Sequence, residues 1–328
     1  PVFGLYENYL NKIEIRIRFT DFSITTLNLD VDTPAYDDPQ FINADIQIVQ
    51  PPSPDNKPSF SFFLLQPNTS NIDNGNNQNS FGGVIMDIDG NIRWVRNIPL
   101  DGPNVKVARA QLFVDKKIIT MQIGSSQPSL ITFDLIGGNE VIPISNSSYL
   151  LDDILYPHHD MRYGKNGVLI EVSVTDQSVG VINGQVLIEV NDAGQVLKEF
   201  DFGDILSNYM LANGDDPSNL NRPPINWFHG NSSLYDPADN SIITSSRENF
   251  IMKIGYDDKE IKWIFGDPNK HWFVNFPSLR SLALSTNSDY PIGQHSVSID
   301  GDALMFYNNG TLSFRNPENT PAGLNPNI

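Results

Sequence analysis

Short runs of alternating apolar and polar residues recur along this chain, and the 3.6-residue period of an amphipathic helix is nearly absent. Asn11–Phe19 places Ile13, Ile15, Ile17 and Phe19 on one face and polar partners on the other, the pattern of a half-buried strand. Ser23–Val31 and Asp45–Gln50 continue it, which predicts a small β domain over residues 1–50. Pro51–Pro58, PPSPDNKP, reads as a linker. The polar, Asn/Gly-rich stretch Asn68–Ser80 reads as an exposed loop.

From Ser59 onward a strand, an Asp/Asn/Gly turn and a second strand recur. Gly83–Trp94, Ser129–Ile144, Val186–Phe200 and Phe250–Trp263 each have this form. Their turns fall near residues 89, 137, 192 and 258, a spacing of roughly 45–65 residues. Such a period predicts propeller blades with loops of unequal length, so residues 59–328 read as a β-propeller of about five blades. A second set of strand pairs precedes or follows these: His159–Val174, His229–Arg247 and His295–Gly310. Asp204–Ala212 is the best helical candidate and reads as decoration on a loop.

Each pair in the second set opens with a histidine. His159 and His229 are 70 residues apart, His229 and His295 66. Three residues at the start of the first, channel-lining strand of successive blades converge on one axis. Asn231 shares a strand face with His229. Arg247 returns across the turn from the His229 strand and offers a fixed guanidinium for a tetrahedral anion. His158 and His159 face opposite sides, so one of the two points into the channel. Asp160 either orients an imidazole or pairs within the sheet. His271 reads as a rim residue, and Trp227, Phe228 and Trp272 as an aromatic mouth or as packing.

Composition narrows the chemistry. The chain has 328 residues, 21 Lys+Arg, 39 Asp+Glu, 5 His and no Cys, for a formal charge of −18. Without Cys there is no thiolate ligand, disulfide or cysteine nucleophile. The acidic balance argues against a nucleic-acid or anionic-membrane surface. No apolar run reaches the length of a membrane-spanning helix. The chain starts at Pro1 without a signal-peptide pattern, which reads as a processed or cropped start. Three imidazoles and one guanidinium fit either a metal site or the handling of a sulfuryl or phosphoryl group by a neutral histidine nucleophile. The arginine favours the anion reading, since a cation beside a metal dication is unfavourable. No HExxH, Walker loop, GxSxG or GxGxxG motif is present.

HHDM with NG (His158–Met161, Asn166–Gly167), WFHGNSSLYDPADNSIITSSR (Trp227–Arg247), IKWIFGDP (Ile261–Pro268) and QHSVSI with FYNNG (Gln294–Ile299, Phe306–Gly310) together resemble the bacterial PAPS-independent arylsulfate sulfotransferases. GLYENYLNKIEI (Gly4–Ile15) resembles that family's N-terminal β domain. The resemblance implies an all-β chain: a six-bladed β-propeller with a small N-terminal β-sandwich-like domain. It implies ping-pong transfer of a sulfuryl group from a phenolic sulfate ester to an acceptor phenol. The QH histidine, His295, would be the nucleophile that carries the sulfuryl group. His229, Asn231, Arg247 and His159 match the family's remaining site motifs. On this reading His229 is the general acid and base, while His159, Asn231 and Arg247 bind the sulfuryl oxygens. No cofactor or metal is implied; export to the periplasm and a homodimer are. The family chain is longer, so the last part of the ring is expected to lie beyond Ile328. Exported members also carry a disulfide that this chain lacks.

Two other readings fit the same residues. One is a propeller that binds a ligand or partner without catalysis. The other is a metal-dependent hydrolase or lyase with the three histidines as ligands.

Overall fold

The computed structural model describes residues 4–35, 60–65, 79–99, 106–114, 117–123, 128–135, 137–149, 154–176, 181–220 and 226–310. The expected strand Asp45–Gln50, the linker Pro51–Pro58, most of the loop Asn68–Ser80 and the closing Pro/Asn-rich tail lie outside them. Within them the chain is all-β, with three short α-helices. None of these helices is long and apolar enough to cross a membrane.

By internal packing the chain divides into two units. One is Pro1–Pro103 with Phe113–Ile118 and Phe133–Asn139; the other is Asn104–Leu112 with Ile119–Thr132 and Glu140–Ile328. In the first, β1 (Tyr9–Arg18) pairs antiparallel with β2 (Ile24–Thr33), and β3 (Phe62–Leu65), β4 (Asn79–Asp87) and β5 (Ile92–Pro99) form a three-stranded antiparallel sheet. The alternation read from the sequence is present in β1, but Ile13 and Ile15 are only half-buried and Ile17 is exposed. Arg93 secures the N-terminal segment: it bonds Asp87 at 2.7 Å, donates to the Gly4 carbonyl, and lies 3.8 Å over the Tyr6 ring.

Next come β6 (Lys106–Val114), β7 (Lys117–Ile123), β8 (Ser129–Asp134) and β9 (Asn139–Pro143), a four-stranded sheet in sequence order. Two more antiparallel sheets of four follow. They are β10 (Ile154–Tyr163), β11 (Val168–Asp176), β12 (Val181–Val190) and β13 (Val196–Asp201), then β14 (Gly230–Asp236), β15 (Ser241–Ser246), β16 (Ile251–Gly255) and β17 (Ile261–Phe265). The hairpin β18 (His295–Asp300) and β19 (Ala303–Tyr307) closes the described chain. All seven strand pairs expected from the turn signals from Gly83 onward are present. The β12–β13 turn shows why: Gly194 has φ +77°, and a Cβ there would sit 2.2 Å from the Pro143 carbonyl oxygen, so only glycine fits.

In the second unit the first strands of successive sheets, β10, β14 and β18, pack on one another, which is how propeller blades meet. β14 and β15 are consequently covered on both faces: every residue of SIITSS is buried, and β14 is buried except at Tyr235. A strand covered this way loses the alternation that marks a half-exposed one.

The helix expected over Asp204–Ala212 is α1 (Phe202–Ala212), and it does more than decorate a loop. Asp201 caps it, accepting from the backbone N–H of Gly203 at 2.8 Å and of Asp204 at 3.1 Å. Phe202, Leu206 and Met210, one helical face, are fully buried in the largest apolar cluster. There Phe202 stacks on Phe228 with ring centroids 5.0 Å apart. Trp227 and Trp272 belong to the same cluster, so the three aromatics are core packing and form no mouth. Full burial of side chains this size contributes roughly 1.5–3 kcal/mol each. The short helices α2 (His271–Asn275) and α3 (Pro277–Arg280), which the apolar pattern did not signal, complete this layer through Trp272, Phe276 and Leu279.

Candidate active site

Three bulges build the site. The β10–β11 register shifts between Pro157 and Met161, the β14–β15 register between Gly230 and Ser232, and the β18–β19 register between His295 and Ser298. Each bulge holds or directly adjoins a non-glycine residue in the left-handed region: His159 at φ 60° inside the first, His229 at φ 49° just before the second, and Ser296, next to His295, at φ 53° inside the third. Such residues cost roughly 1–2 kcal/mol each and concentrate where function requires a side chain to be re-aimed. The equivalence read from the sequence is therefore one of bulges. His295 does begin β18, but His229 immediately precedes β14 and His159 lies well inside β10.

The bulges bring the imidazoles together. His159 Nε2 lies 3.1 Å from His229 Nε2. The His159 ring centroid is 5.2 Å from that of His229 and 5.4 Å from that of His295. His159 is thus the member of its pair that joins the cluster; the side chain of His158 lies outside the described residues.

Neighbouring groups set the tautomers. Asn226 Oδ1 accepts from the backbone N–H of Gly184 at 2.9 Å and of His229 at 3.3 Å, which fixes the amide. Its Nδ2 then donates to His229 Nδ1 at 3.1 Å. With Nδ1 an acceptor, the proton of neutral His229 sits on Nε2 and points at His159. His295 Nδ1 lies 2.8 Å from the Gly293 carbonyl oxygen, which can only accept. His295 therefore carries its proton on Nδ1 and its lone pair on Nε2. Burial holds the His295 pKa below the ordinary histidine value; the Gly293 carbonyl opposes that shift and the Arg247 charge adds to it.

Arg247 follows β15 directly, and its backbone N–H donates to the His229 carbonyl at 3.1 Å. Its Nη1 lies 3.5 Å from Glu248 Oε1. Asn231 is buried at the β14 bulge and donates from Nδ2 to the Gln294 carbonyl at 2.7 Å. Gln294 in turn donates from Nε2 to the Ser246 carbonyl at 2.5 Å, joining the start of β18 to the end of β15. Ser232 links three first strands: its hydroxyl donates to Asp160 Oδ2 at 2.9 Å and accepts from the Val297 N–H at 3.0 Å. Asp160 also binds Arg162 Nε on its own strand at 2.7 Å, so with Ser232 its partners lie in the sheets. His271 heads α2, with Nδ1 2.7 Å from Asn275 Nδ2. Among the described residues no group of three or more His, Cys, Asp or Glu side chains is set to hold a metal ion.

Residues 53–326 match the arylsulfotransferase (ASST) family. The chain belongs to this family. It is 32% identical over 153 residues to arylsulfate sulfotransferase AssT of Escherichia coli O6:H1, a stretch covering 41% of this chain and 23% of that protein. It is 29% identical over 180 residues to arylsulfate sulfotransferase AssT of Lelliottia amnigena, covering 49% of this chain and 27% of the relative. The matched stretches span about a quarter of the length of these relatives, 23% and 27%. Among solved structures, the β-propeller domain of Cps50 (Swd1) from Myceliophteria thermophila aligns over 56% of this chain and 52% of its own, at 9% identity and a TM-score of 0.30. That overlap is too slight to carry an argument about the fold.

In this arylsulfotransferase-family chain, His159, His229 and His295 meet, and Arg247 and Asn231 border them. The sequence reading did not single out Asn226, Ser232 or Gln294 as site groups, nor the buried pair Glu248 and Lys270. Asn226 does sit three residues before a clustered histidine, a signal of local side-chain-to-backbone bonding, whereas Gln294 bonds the distant Ser246.

Proposed function

We propose that this chain transfers a sulfuryl group from a phenolic sulfate ester to an acceptor phenol by a ping-pong route, without PAPS, with His295 as the transient carrier. The observation that carries this reading is the bond from His295 Nδ1 to the Gly293 carbonyl at 2.8 Å. It leaves the Nε2 lone pair for attack, on a ring whose lowered pKa keeps it neutral.

His295 Nε2 attacks sulfur, the S–O bond to the aryl group breaks, and the electron pair leaves on the phenolate. Arg247, His159 and Asn231 bind the sulfuryl oxygens as charge develops. His229 shares its Nε2 proton with the departing oxygen, and the same nitrogen takes up the proton of the incoming phenol. Phenols, with a pKa near 10, are far better leaving groups than alkanols, so aryl sulfates are the donors. The described blades would belong to a six-bladed ring with a separate N-terminal β domain over residues 1–50. An exported homodimer acting on small phenols, with no nucleic-acid partner, completes the reading.

The test follows nitrophenol release from 4-nitrophenyl sulfate, with and without added phenol, for the wild type and His295→Asn. Release that phenol accelerates and the substitution abolishes supports the proposal. Release indifferent to phenol indicates hydrolysis, and none from the folded protein indicates a binding propeller.

A further inference from the structure

Arg247 is the first residue of a buried turn that gathers the site from three directions. The Ser246 hydroxyl donates to the Phe228 carbonyl at 2.6 Å and Asn249 Nδ2 donates to the Trp227 carbonyl at 2.8 Å, securing the segment before His229. Gln294 reaches the Ser246 carbonyl from the His295 side. From the third side, Lys270 Nζ donates to the Glu248 carbonyl at 3.2 Å.

Two charged residues in this turn region are almost wholly removed from water. The Glu248 side chain is 1% exposed and Lys270 is 4% exposed. Burying charge is expensive, and apolar residues of the same volume often stabilise as well. Packing alone therefore does not account for them. Asp267 is a second buried carboxylate there; its main-chain carbonyl accepts from the Lys270 N–H at 3.1 Å.

We propose that Glu248 and Lys270 are positioning residues for Arg247: together they hold its guanidinium beside His295 and balance its charge. The inference rests on the sulfuryl-transfer reading. Glu248 Oε1 pairs with Nη1 of Arg247 at 3.5 Å, a carboxylate held against one arm of the planar guanidinium. Lys270 ties down the main chain at Glu248. Burial pushes the lysine down to about 8, against the raising charges of Glu248 and Asp267 and with a further lowering from Arg247. It remains largely protonated at neutral pH.

The His159 ring lies beside His295, with His229 beyond it, and the Arg247 charge acts on His295; Arg247 pairs with Glu248, whose carbonyl accepts from Lys270, and the charges of Glu248, Asp267 and Arg247 act on that lysine. Asp160, on β10, is occupied by Arg162 and Ser232. Arg247 and Lys270 balance Glu248 and Asp267. Removing one member unbalances the cluster with a sign that His295 reports.

The experiment is an NMR titration of the His295 imidazole in the intact protein, assigned with His295→Gln, for the wild type, Lys270→Met, Glu248→Gln and the double variant. Lys270→Met leaves excess negative charge and raises the midpoint by about half a unit. Glu248→Gln keeps an oxygen for Arg247 but leaves excess positive charge, and lowers it by a similar amount. The double variant, again balanced, returns to within about 0.2 units of the wild type. Midpoints that do not move in folded single variants, or that move in the same direction, overturn the proposal. If a single variant does not fold, Asp267→Asn takes its place, with a lowered midpoint expected and an unmoved one contradicting. The acid limb of kcat/KM for 4-nitrophenyl sulfate should move in step. Opposed NMR shifts in a protein that releases no nitrophenol would keep the positioning and remove sulfuryl transfer. Turnover with unmoved shifts would do the reverse.

Discussion

The Nε2 atoms of His159 and His229 face each other at 3.1 Å, so the two rings hold one proton between them. Asn226 decides which ring owns it, because its amide donates to His229 Nδ1. The pair is thereby set with a donor N–H on His229 and an acceptor nitrogen on His159. A double-protonated pair would place two N–H groups against each other.

Asn226→Asp tests that arrangement. A carboxylate keeps the bonds to the Gly184 and His229 N–H groups but accepts at His229 Nδ1, which moves the proton from Nε2 to Nδ1. The turnover of 4-nitrophenyl sulfate in the presence of phenol should fall by at least about tenfold with little change in Tm. Imidazole ¹⁵N shifts should report the exchanged tautomer. An unchanged rate with the tautomer exchanged would remove His229 from proton handling.

The pH profile follows from His295. Its folded pKa lies below the ordinary value of 6.5 because of burial and the Arg247 charge. The attacking ring is neutral above that folded value, so the acid limb of kcat/KM should have its midpoint below 6.5. Arg247→Met removes one lowering charge, so in the residual activity the acid limb should move upward. A limb at or above 6.5 in the wild type would contradict the neutral-nucleophile account.

Glu171 makes stability depend on pH in the opposite sense to an ordinary surface carboxylate. It is fully buried on β11, and burial pushes it up to about 8; the hydrogen bond from Ser233 opposes the shift and the charge of Asp160 adds to it. Its folded value is above the ordinary 4.5. The stability it contributes is therefore complete below about 4.5 and is lost as pH rises through about 8. Glu171→Gln should remove that loss: relative to the wild type it gains on the order of 3 kcal/mol between pH 5 and pH 8. Urea unfolding at the two pH values measures it. Parallel pH dependence in the two proteins would show Glu171 to be ionised in the native state.

Truncation of the buried face of α1 should be costly. Met210→Ala should lower stability by about 2–5 kcal/mol, whereas Asp201→Ala, which removes the cap, should cost about 1 kcal/mol. Denaturant midpoints compare the two. A cost for Met210→Ala as small as that for the cap would mean the helix is not part of the core.

Much of this was legible in the sequence because it depends on period and turn chemistry. The hairpins from Gly83 onward follow from alternation bounded by Gly, Asn and Asp, and the convergence of His159, His229 and His295 followed from their place in the repeat. What escaped was decided by non-local packing. The positive φ at and beside the bulges falls on His159, His229 and Ser296, residue types that give no such signal in a sequence. The His295 tautomer depends on a backbone carbonyl, which has no sequence signature. Glu248 and Lys270 carry no sequence signal of burial, yet both are buried where the Lys270 ammonium meets the Glu248 carbonyl. Trp227 and Phe228 sit beside a site histidine yet point into the core, because consecutive residues need not share a direction once the strand alternation breaks.

The central claim is that His295 Nε2 carries the sulfuryl group, and the most direct measurement is mass spectrometry of the protein quenched at alkaline pH after 4-nitrophenyl sulfate is added without acceptor. The account predicts one added SO3 on the peptide containing His295, lost on adding phenol and absent in His295→Asn. No adduct during turnover, or an adduct on His159 or His229 instead, would contradict it.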